Sequence, residues 1–179
     1  MVNEDKIIFA GPVGAGKTTA LASISDIPPI KTEEKASDET AQRKEMTTVA
    51  MDYGVLQLDD DTKIHLYGTP GQERFSFMWP ILSIGGIGLI LMLDNAREKP
   101  LDDLRIYLNG FKDFISRTTA VIGVTRMDVS NKIRLSDYHQ VMEEVGIKVP
   151  IFEVDARERE DVKLLMISLL TMLDPALQR

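Results

Sequence analysis

Eight residues near the start of the chain read Gly11-Pro12-Val13-Gly14-Ala15-Gly16-Lys17-Thr18 and match the pattern Gly-x-x-x-x-Gly-Lys-Thr. An apolar segment typical of a strand precedes them at residues 6–10, and residues 17–25 have the composition of a helix. In such a turn the glycines let backbone N–H groups face phosphate oxygens, and the following helix adds its positive amino-terminal dipole. The lysine reaches the β- and γ-phosphates, and the threonine hydroxyl binds Mg²⁺. The loop therefore predicts that the chain binds a nucleoside triphosphate.

Composition and charge exclude several other classes of protein. The 179 residues carry a net charge of −7, which disfavours binding to nucleic acid or to an anionic membrane. Cysteine is absent, so disulfide bonds and thiolate metal sites are excluded. The longest apolar run, residues 81–93, is interrupted by Ser83 and three glycines and is shorter than the roughly 20 residues of a membrane span. Since the sequence shows neither a secretion signal nor a lipidation motif, we expect a cytoplasmic protein without a membrane anchor.

Apolar runs and helical patterns alternate along the rest of the chain. This alternation predicts an α/β fold, with a six-stranded, mostly parallel sheet covered by about five helices. A polar turn at residues 59–61 joins two strand-like runs into a hairpin, which adds one antiparallel edge strand. The predicted strands are residues 6–10, 48–58, 62–67, 87–93, 120–124 and 150–154.

Further segments follow the phosphate loop in a characteristic order. A long polar segment at residues 26–46, predicted to be a functional loop, leads into Thr47-Thr48-Val49-Ala50-Met51-Asp52-Tyr53. The others are Gly71-Gln72-Glu73-Arg74-Phe75, Thr125-Arg126-Met127-Asp128 and Asp155-Ala156-Arg157. Their order and spacing resemble those of the Ras-like small GTPases over essentially the whole chain. By that resemblance residues 26–53 correspond to the first switch of these proteins and residues 71–75 to the second switch. The resemblance implies a single G domain over residues 1–179, a three-layer P-loop NTPase that binds GTP and GDP with Mg²⁺.

The resemblance implies how the base would be read. Asp128 would accept hydrogen bonds from guanine N1–H and from the 2-amino group, and adenine has neither donor. Arg126 would lie over the face of the base, and the N–H of Ala156 would meet guanine O6. Residues implied to contact the nucleotide are Gly11, Val13, Gly14, Ala15, Gly16, Lys17, Thr18, Thr19, Gly71, Thr125, Arg126, Asp128, Asp155, Ala156 and Arg157.

The resemblance also implies a catalytic set and a metal site. Gln72 would orient the attacking water, while Lys17 and Thr48 would contact the γ-phosphate. Thr18 and Thr48 would bind Mg²⁺. Arg43 lies shortly before Thr48 and is either a catalytic charge supplied in cis or a solvated side chain of the first switch.

Three positions depart from the usual pattern of the small GTPases. Gly68 stands where the family has an Asp that supports Mg²⁺, so we expect weak Mg²⁺ binding in the GDP form. Thr125 replaces an Asn that braces the phosphate loop, and Val13 replaces a Gly and is expected to crowd Gln72. The run Tyr67-Gly68-Thr69-Pro70-Gly71-Gln72 is similar to that of the bacterial MglA-like GTPases, which implies a Roadblock-type regulator at the switches.

The sequence leaves more than one function open. The leading interpretation is a GTP-driven switch with slow hydrolysis, and its effectors would bind at the switch regions. A nucleotide-binding scaffold that barely hydrolyses is favoured by Val13 and Gly68 but disfavoured by Gln72 and Thr48. A P-loop ATPase or small-molecule kinase is disfavoured by Asp128. The apolar cluster Phe75, Phe77, Met78 and Trp79 is either a partner surface or packing beneath the second switch.

Overall fold

The computed structural model describes residues 3–35 and 48–173. In chain order the elements are β1 (Asn3–Ala10), α1 (Lys17–Ile24), β2 (Ile30–Lys35), β3 (Thr48–Gln57), β4 (Thr62–Gly68), a 3₁₀ helix (Glu73–Met78), α2 (Trp79–Leu82), β5 (Gly86–Asp94), α3 (Pro100–Gly110), α4 (Lys112–Arg117), β6 (Ala120–Thr125), α5 (Leu135–Val145), β7 (Ile151–Glu153) and α6 (Arg159–Leu173). Arg43 and Thr47 lie outside the described residues.

The strands form one sheet in the order β2-β3-β4-β1-β5-β6-β7. β3 is antiparallel to both of its neighbours, whereas the pairings among β4, β1, β5, β6 and β7 are all parallel. The parallel strands therefore end at the same edge of the sheet, where the loop after β1 meets the loops after β4, β5, β6 and β7.

The predicted fold class is confirmed, with two corrections. The described sheet has seven strands rather than six, and the antiparallel strand β3 lies inside the sheet because β2 covers its outer edge. Residues 30–35 were predicted to be loop, but they form β2. Their sequence, Ile-Lys-Thr-Glu-Glu-Lys, lacks apolar alternation. This suits an edge strand, which pairs with one neighbouring strand only and commonly carries charged side chains. Its pairing with β3 is a tertiary effect.

Two apolar cores lie on the two faces of the sheet. Along β1 the side chains alternate between them, as the two-residue repeat of a strand requires. Ile7 and Phe9 belong to the cluster packed with α1 and α6, while Ile8 and Ala10 belong to the cluster packed with α3 and α5. The result is three layers, helix, sheet and helix, that fix the loop after β1 from both sides. Within the described residues, no helix combines the length and apolar composition that a bilayer crossing requires.

Candidate nucleotide site

The phosphate loop connects the end of β1 to the start of α1. Gly14 and Gly16 have φ values of 80° and 94°, a left-handed conformation that side chains with a Cβ rarely adopt. The turn is closed by the N–H of Ala15, which donates to the carbonyl of Pro12 at 3.2 Å. Because α1 begins at Lys17, its free amino-terminal N–H groups face the loop and make a site for an anion.

Lys17 lies beneath the loop and is only 8% exposed. Its ammonium donates to the carbonyl of Pro12 at 2.8 Å. Burial lowers the pKa of Lys17 to about 8, an effect partly offset by the charge of Asp52 and reinforced by that of Arg97. A buried cation with one carbonyl partner is prepared to bind a multiply charged anion, which would restore its ordinary basicity.

The second switch begins in direct contact with the phosphate loop. A Cβ placed on Gly71 would lie 2.6 Å from the Lys17 ammonium and 2.6 Å from the backbone nitrogen of Val13, so only glycine fits there. The hydroxyl of Tyr107 donates to the carbonyl of Gly71 at 3.3 Å and ties this segment to α3. The next residue, Gln72, is exposed. Gly71 is therefore held against Lys17 and the phosphate loop, with Gln72 exposed beside it.

The residues after Gln72 divide between core and surface. Met78 and Trp79 are buried, and the Trp79 ring stacks on Tyr107 with centroids 4.6 Å apart. Phe77 is 59% exposed. The structure therefore assigns Met78 and Trp79 to packing beneath the switch and leaves Phe77 accessible.

The first residue of α1 after the lysine, Thr18, contacts the sheet at Asp52. The Thr18 hydroxyl donates a hydrogen bond to the carboxylate of Asp52, a residue in the middle of β3. Asp52 pairs with Gly68 across the β3–β4 hairpin. A Cβ on Gly68 would lie 3.1 Å from the Asp52 Cβ and 3.4 Å from its Oδ2. The Asp52 side chain therefore fills the place that a side chain at position 68 would take.

Thr48 is not brought to Thr18 in this arrangement. Its backbone lies at the start of β3, paired with Lys35 of β2. At about 3.3 Å per residue, Thr48 is roughly 13 Å further along the strand than Asp52. A metal contact by Thr48 would require the start of β3 to leave its pairing with β2.

The other residues predicted to contact the nucleotide line one cavity of about 610 Å³ beside the phosphate loop. From the loop and α1 come Gly14, Ala15, Gly16 and Thr19, and from the loops after β6 and β7 come Thr125, Arg126, Asp128, Asp155, Ala156 and Arg157. Asp128 is exposed at the wall of the cavity, while Ala156 is buried against the loop. The remaining predicted contact residues do not line this cavity: Gly11, Val13, Lys17 and Thr18 belong to the adjoining phosphate loop and α1, and Gly71 lies against that loop.

Thr125 braces the phosphate loop. Its hydroxyl lies 3.0 Å from the carbonyl of Leu93 and 3.3 Å from the carbonyl of Ala15, and the side chain is buried. Replacement of the family's Asn by Thr was expected to weaken this scaffold. The contact with the loop is nevertheless made, because a hydroxyl at the end of β6 is near enough to reach Ala15 directly.

Arg126 has a partner that the sequence did not suggest. Its backbone adopts φ 56°, and its guanidinium pairs with Asp94 at the end of β5, with Nε 2.8 Å from Oδ1. Asp94 is 1% exposed, so this ion pair neutralises a buried carboxylate. Arg126 therefore stabilises the buried end of β5, and it also lines the cavity.

The loop after β7 contains an ion pair between neighbouring residues. The Arg157 guanidinium donates to the Asp155 carboxylate at 2.6 Å, and the backbone N–H of Arg157 donates to the same carboxylate at 2.9 Å. These hydrogen bonds lower the pKa of Asp155 to about 2. The pair holds the turn around Ala156, whose backbone was predicted to meet the base.

Three residues of the site went unrecognised in the sequence, namely Asp52, Asp94 and Arg97. Arg97 donates to the carbonyl of Val13 at 3.2 Å and is held by Asp103 at 2.6 Å, so the loop after β5 also supports the phosphate loop. A signal for Asp52 existed, since counting back from the turn at residues 59–61 pairs Leu58 with Thr62 and hence Asp52 with Gly68. Asp94 ends β5 and Arg97 follows it; their contacts with Arg126 and Val13 depend on strand order, which no sequence pattern marks.

Comparison with known proteins gives consistent relationships. Residues 9–174 match a family described as conserved hypothetical ATP binding protein. The chain is 28% identical over 149 residues to the Ras-related protein Rab-8B of Homo sapiens, and 27% identical to Rab-8A of Rattus norvegicus. These alignments cover 82% of the chain and 64% of each relative, so the chain matches less than two thirds of the relatives' length. The crystal structure of the G domain of the T. maritima FeoB iron transporter has a TM-score of 0.64 at 16% identity, covering 96% of this chain and 100% of that one. That likeness shows a shared P-loop NTPase fold.

Proposed function

The chain belongs to the family of conserved hypothetical ATP-binding proteins, and from that premise we propose that it is a guanine-nucleotide switch with slow GTP hydrolysis. The observation that carries the proposal is the 610 Å³ cavity, which joins the phosphate loop to the Thr125–Asp128 segment and the Ala156 turn. A single G domain over residues 1–179 would then hold the phosphates at one end of this cavity and the base at the other.

The phosphate end supports binding of a di- or triphosphate. Backbone N–H groups of the loop, the start of α1 and the buried Lys17 ammonium supply concentrated positive potential. The contact between Gly71 and the loop would let its N–H meet a γ-phosphate. Diphosphate and triphosphate would therefore differ in how firmly they hold the second switch, as a switch requires.

The base end supports guanine. Asp128 is exposed at the cavity wall, where its carboxylate could accept two hydrogen bonds from guanine. Adenine would leave that carboxylate unmatched. The family description names ATP, whereas the Rab relatives are Ras-related proteins, so ATP binding is the second candidate function.

The residues present fit Mg²⁺. The Thr18 hydroxyl is exposed at the start of α1 beside a carboxylate, and such oxygen donors suit a hard cation. Within the described residues no cluster of three acidic or histidine side chains forms, so phosphate oxygens and water would complete the shell. Bound there, Mg²⁺ would neutralise phosphate charge. Thr18 would hold it, joined by Thr48 if the first switch closes.

Hydrolysis in this proposal depends on Gln72 orienting a water beside Gly71. Because Gln72 is exposed and its side chain makes no hydrogen bond within the part of the chain that the structure describes, we expect slow turnover, on the order of 10⁻⁴–10⁻² s⁻¹. The similarity of Tyr67–Gln72 to MglA-like GTPases motivates a Roadblock-type regulator, and exposed Phe77 offers it an apolar contact beside the switch.

Calorimetry with GTP, GDP and ATP, together with timed analysis of nucleotide products, tests the proposal. We expect GTP and GDP to bind much more tightly than ATP, with slow release of phosphate that Gln72→Leu slows further. Tighter binding of ATP than of GTP would instead support the second candidate. Binding of GTP with no hydrolysis over hours, with and without Mg²⁺, would indicate a scaffold.

A further inference from the structure

The turn after β7 leaves one backbone N–H group unpaired beside the cavity. The N–H of Val154 donates to the carbonyl of Val124 at 3.0 Å and is the last bond between this segment and β6. Two residues later, the N–H of Ala156 has no hydrogen-bond partner among the residues that the structure describes. Ala156 is 6% exposed, and a Cβ on Gly16 would lie 2.8 Å from its Cβ. An unpaired N–H in so buried a residue is usually satisfied by water or by a ligand.

The peptide groups on both sides of this N–H are fixed. On the amino-terminal side, the N–H of Asp155 donates to the carboxylate of Asp161 at 2.7 Å. On the carboxy-terminal side, the N–H of Arg157 donates to the carboxylate of Asp155 at 2.9 Å. Because peptide groups are planar, fixing these two restricts the rotation of the group between them, which carries the N–H of Ala156.

Asp161 is the partner in this arrangement that lies outside the turn. It is in the first turn of α6, is partly buried and lines the cavity. A carboxylate in that position is favoured by the helix dipole whatever its oxygens contact. Here one oxygen accepts from Asp155, which precedes the helix. The turn is therefore tied to α6, which the buried Val162 and Leu165 hold against the sheet.

We propose that Asp161 is a positioning residue of the base site, which holds the N–H of Ala156 in the direction of guanine O6. The inference rests on the proposed function and deepens it. O6 accepts a hydrogen bond, whereas adenine has a donor amino group at the same place, so a fixed N–H favours guanine. Asp128 would bind N1–H and the 2-amino group, and Asp161 would act on O6 through Ala156. The two carboxylates thus determine the recognition of different groups of one base.

The experiment compares GDP with 6-thio-GDP, in which sulfur, a weaker acceptor, replaces O6. Calorimetry measures both affinities for native protein, Asp161→Ala, Asp161→Asn and Glu160→Ala. The last variant is the matched control, because it removes an exposed carboxylate from the same helical turn. We expect native protein to prefer GDP by about tenfold and Asp161→Ala to prefer it by only about twofold, since the Ala156 N–H loses its alignment. Asp161→Asn keeps an acceptor oxygen and should retain most of the preference, and Glu160→Ala should retain all of it.

A structural role for Asp161 gives a different result. If Asp161 only stabilised α6, Asp161→Ala would lower the melting temperature and leave the preference for GDP over 6-thio-GDP at its native value. That outcome would overturn the inference, as would equal affinity of native protein for the two nucleotides. Tight binding of GDP in either case leaves the proposed function standing. Failure of native protein to bind GDP or GTP would overturn the proposed function as well.

A measurement on native protein does not depend on the folding of a variant. Amide hydrogen exchange followed by NMR reports the N–H groups of Asp155 and Ala156 separately. We expect the Asp155 amide to be protected with and without nucleotide, because Asp161 holds it in both states. The Ala156 amide should become protected when GDP binds, and less so with 6-thio-GDP. An unprotected Asp155 amide in the free protein, or an Ala156 amide that GDP does not protect, would overturn the inference.

Discussion

The phosphate end and the base end of the candidate site are built in different ways. At the phosphate end the groups are backbone atoms and a buried lysine, enclosed by Gly71 and Asp52. At the base end they are side chains on loops: Asp128 is exposed and Arg126 is half exposed. Backbone held by two packed cores is rigid before a ligand arrives, whereas loop side chains are ordered at binding. In the proposed function, the phosphate end would set the class of ligand and the base end would set which base is bound.

The largest effect that this contrast predicts concerns Lys17. Lys17→Ala removes the buried ammonium that lies against the phosphate loop, and truncating such a buried charge partner costs about 2–5 kcal/mol. GTP affinity should fall by roughly 30- to several thousand-fold. Fluorescence titration measures the affinity, and replacement of the exposed Lys112 of α4 by Ala is the control. Unchanged affinity in Lys17→Ala would show that the phosphate end does not bind phosphate.

A smaller but more selective effect is expected from Asp128. Asp128→Asn replaces the two acceptor oxygens of a carboxylate by an amide with one acceptor and one donor group. This should weaken GTP binding by about 3 kcal/mol, roughly 100-fold, and improve binding of xanthosine triphosphate. Affinity for ATP should stay nearly constant because adenine does not use the carboxylate. A parallel loss for GTP and ATP would place Asp128 in the scaffold instead of in base recognition.

Thr125 connects the two ends, and its substitution sharpens the comparison. Thr125→Val keeps the side-chain shape but removes the hydroxyl contacts with Ala15 and Leu93, at a cost of about 1–2 kcal/mol. We expect GDP affinity to fall by roughly tenfold, with a lower melting temperature. Thr125→Asn, which places the family's usual residue there, should recover part of both. If Thr125→Val leaves the two measurements unchanged, the ends are not coupled through this residue.

The smallest predicted effect is the dependence of phosphate binding on pH. In the free protein the pKa of Lys17 is about 8, and phosphate oxygens raise it, so binding takes up a proton. Affinity is then greatest below pH 8 and decreases above it, by roughly fourfold between pH 7 and pH 8.5. Calorimetry in two buffers of different ionisation enthalpy measures the uptake directly. Proton release on binding in this interval would contradict the assigned environment of Lys17.

Local chemistry accounts for what the sequence specified. The glycines of residues 11–18 are required by the positive φ angles of the loop. Lys17 lies beside the loop because it is the next residue in the chain after Gly16. The alternating apolar runs predicted the α/β class because periodicity is a property of each segment. The order of the later motifs suggested that Asp128 and Ala156 belong to one site, and the structure places both at the same cavity.

Tertiary structure decided the rest, for reasons of register and strand order. β2 has no apolar pattern of its own and forms because β3 offers it an edge. Asp94 meets Arg126 only because β5 and β6 are parallel neighbours ending at one edge. Gly68 by itself signified a missing carboxylate, whereas the hairpin places Asp52, 34 residues after Thr18, in that space. The sequence shows which chemical groups are present, but only the pairing of strands determines which of them come into contact.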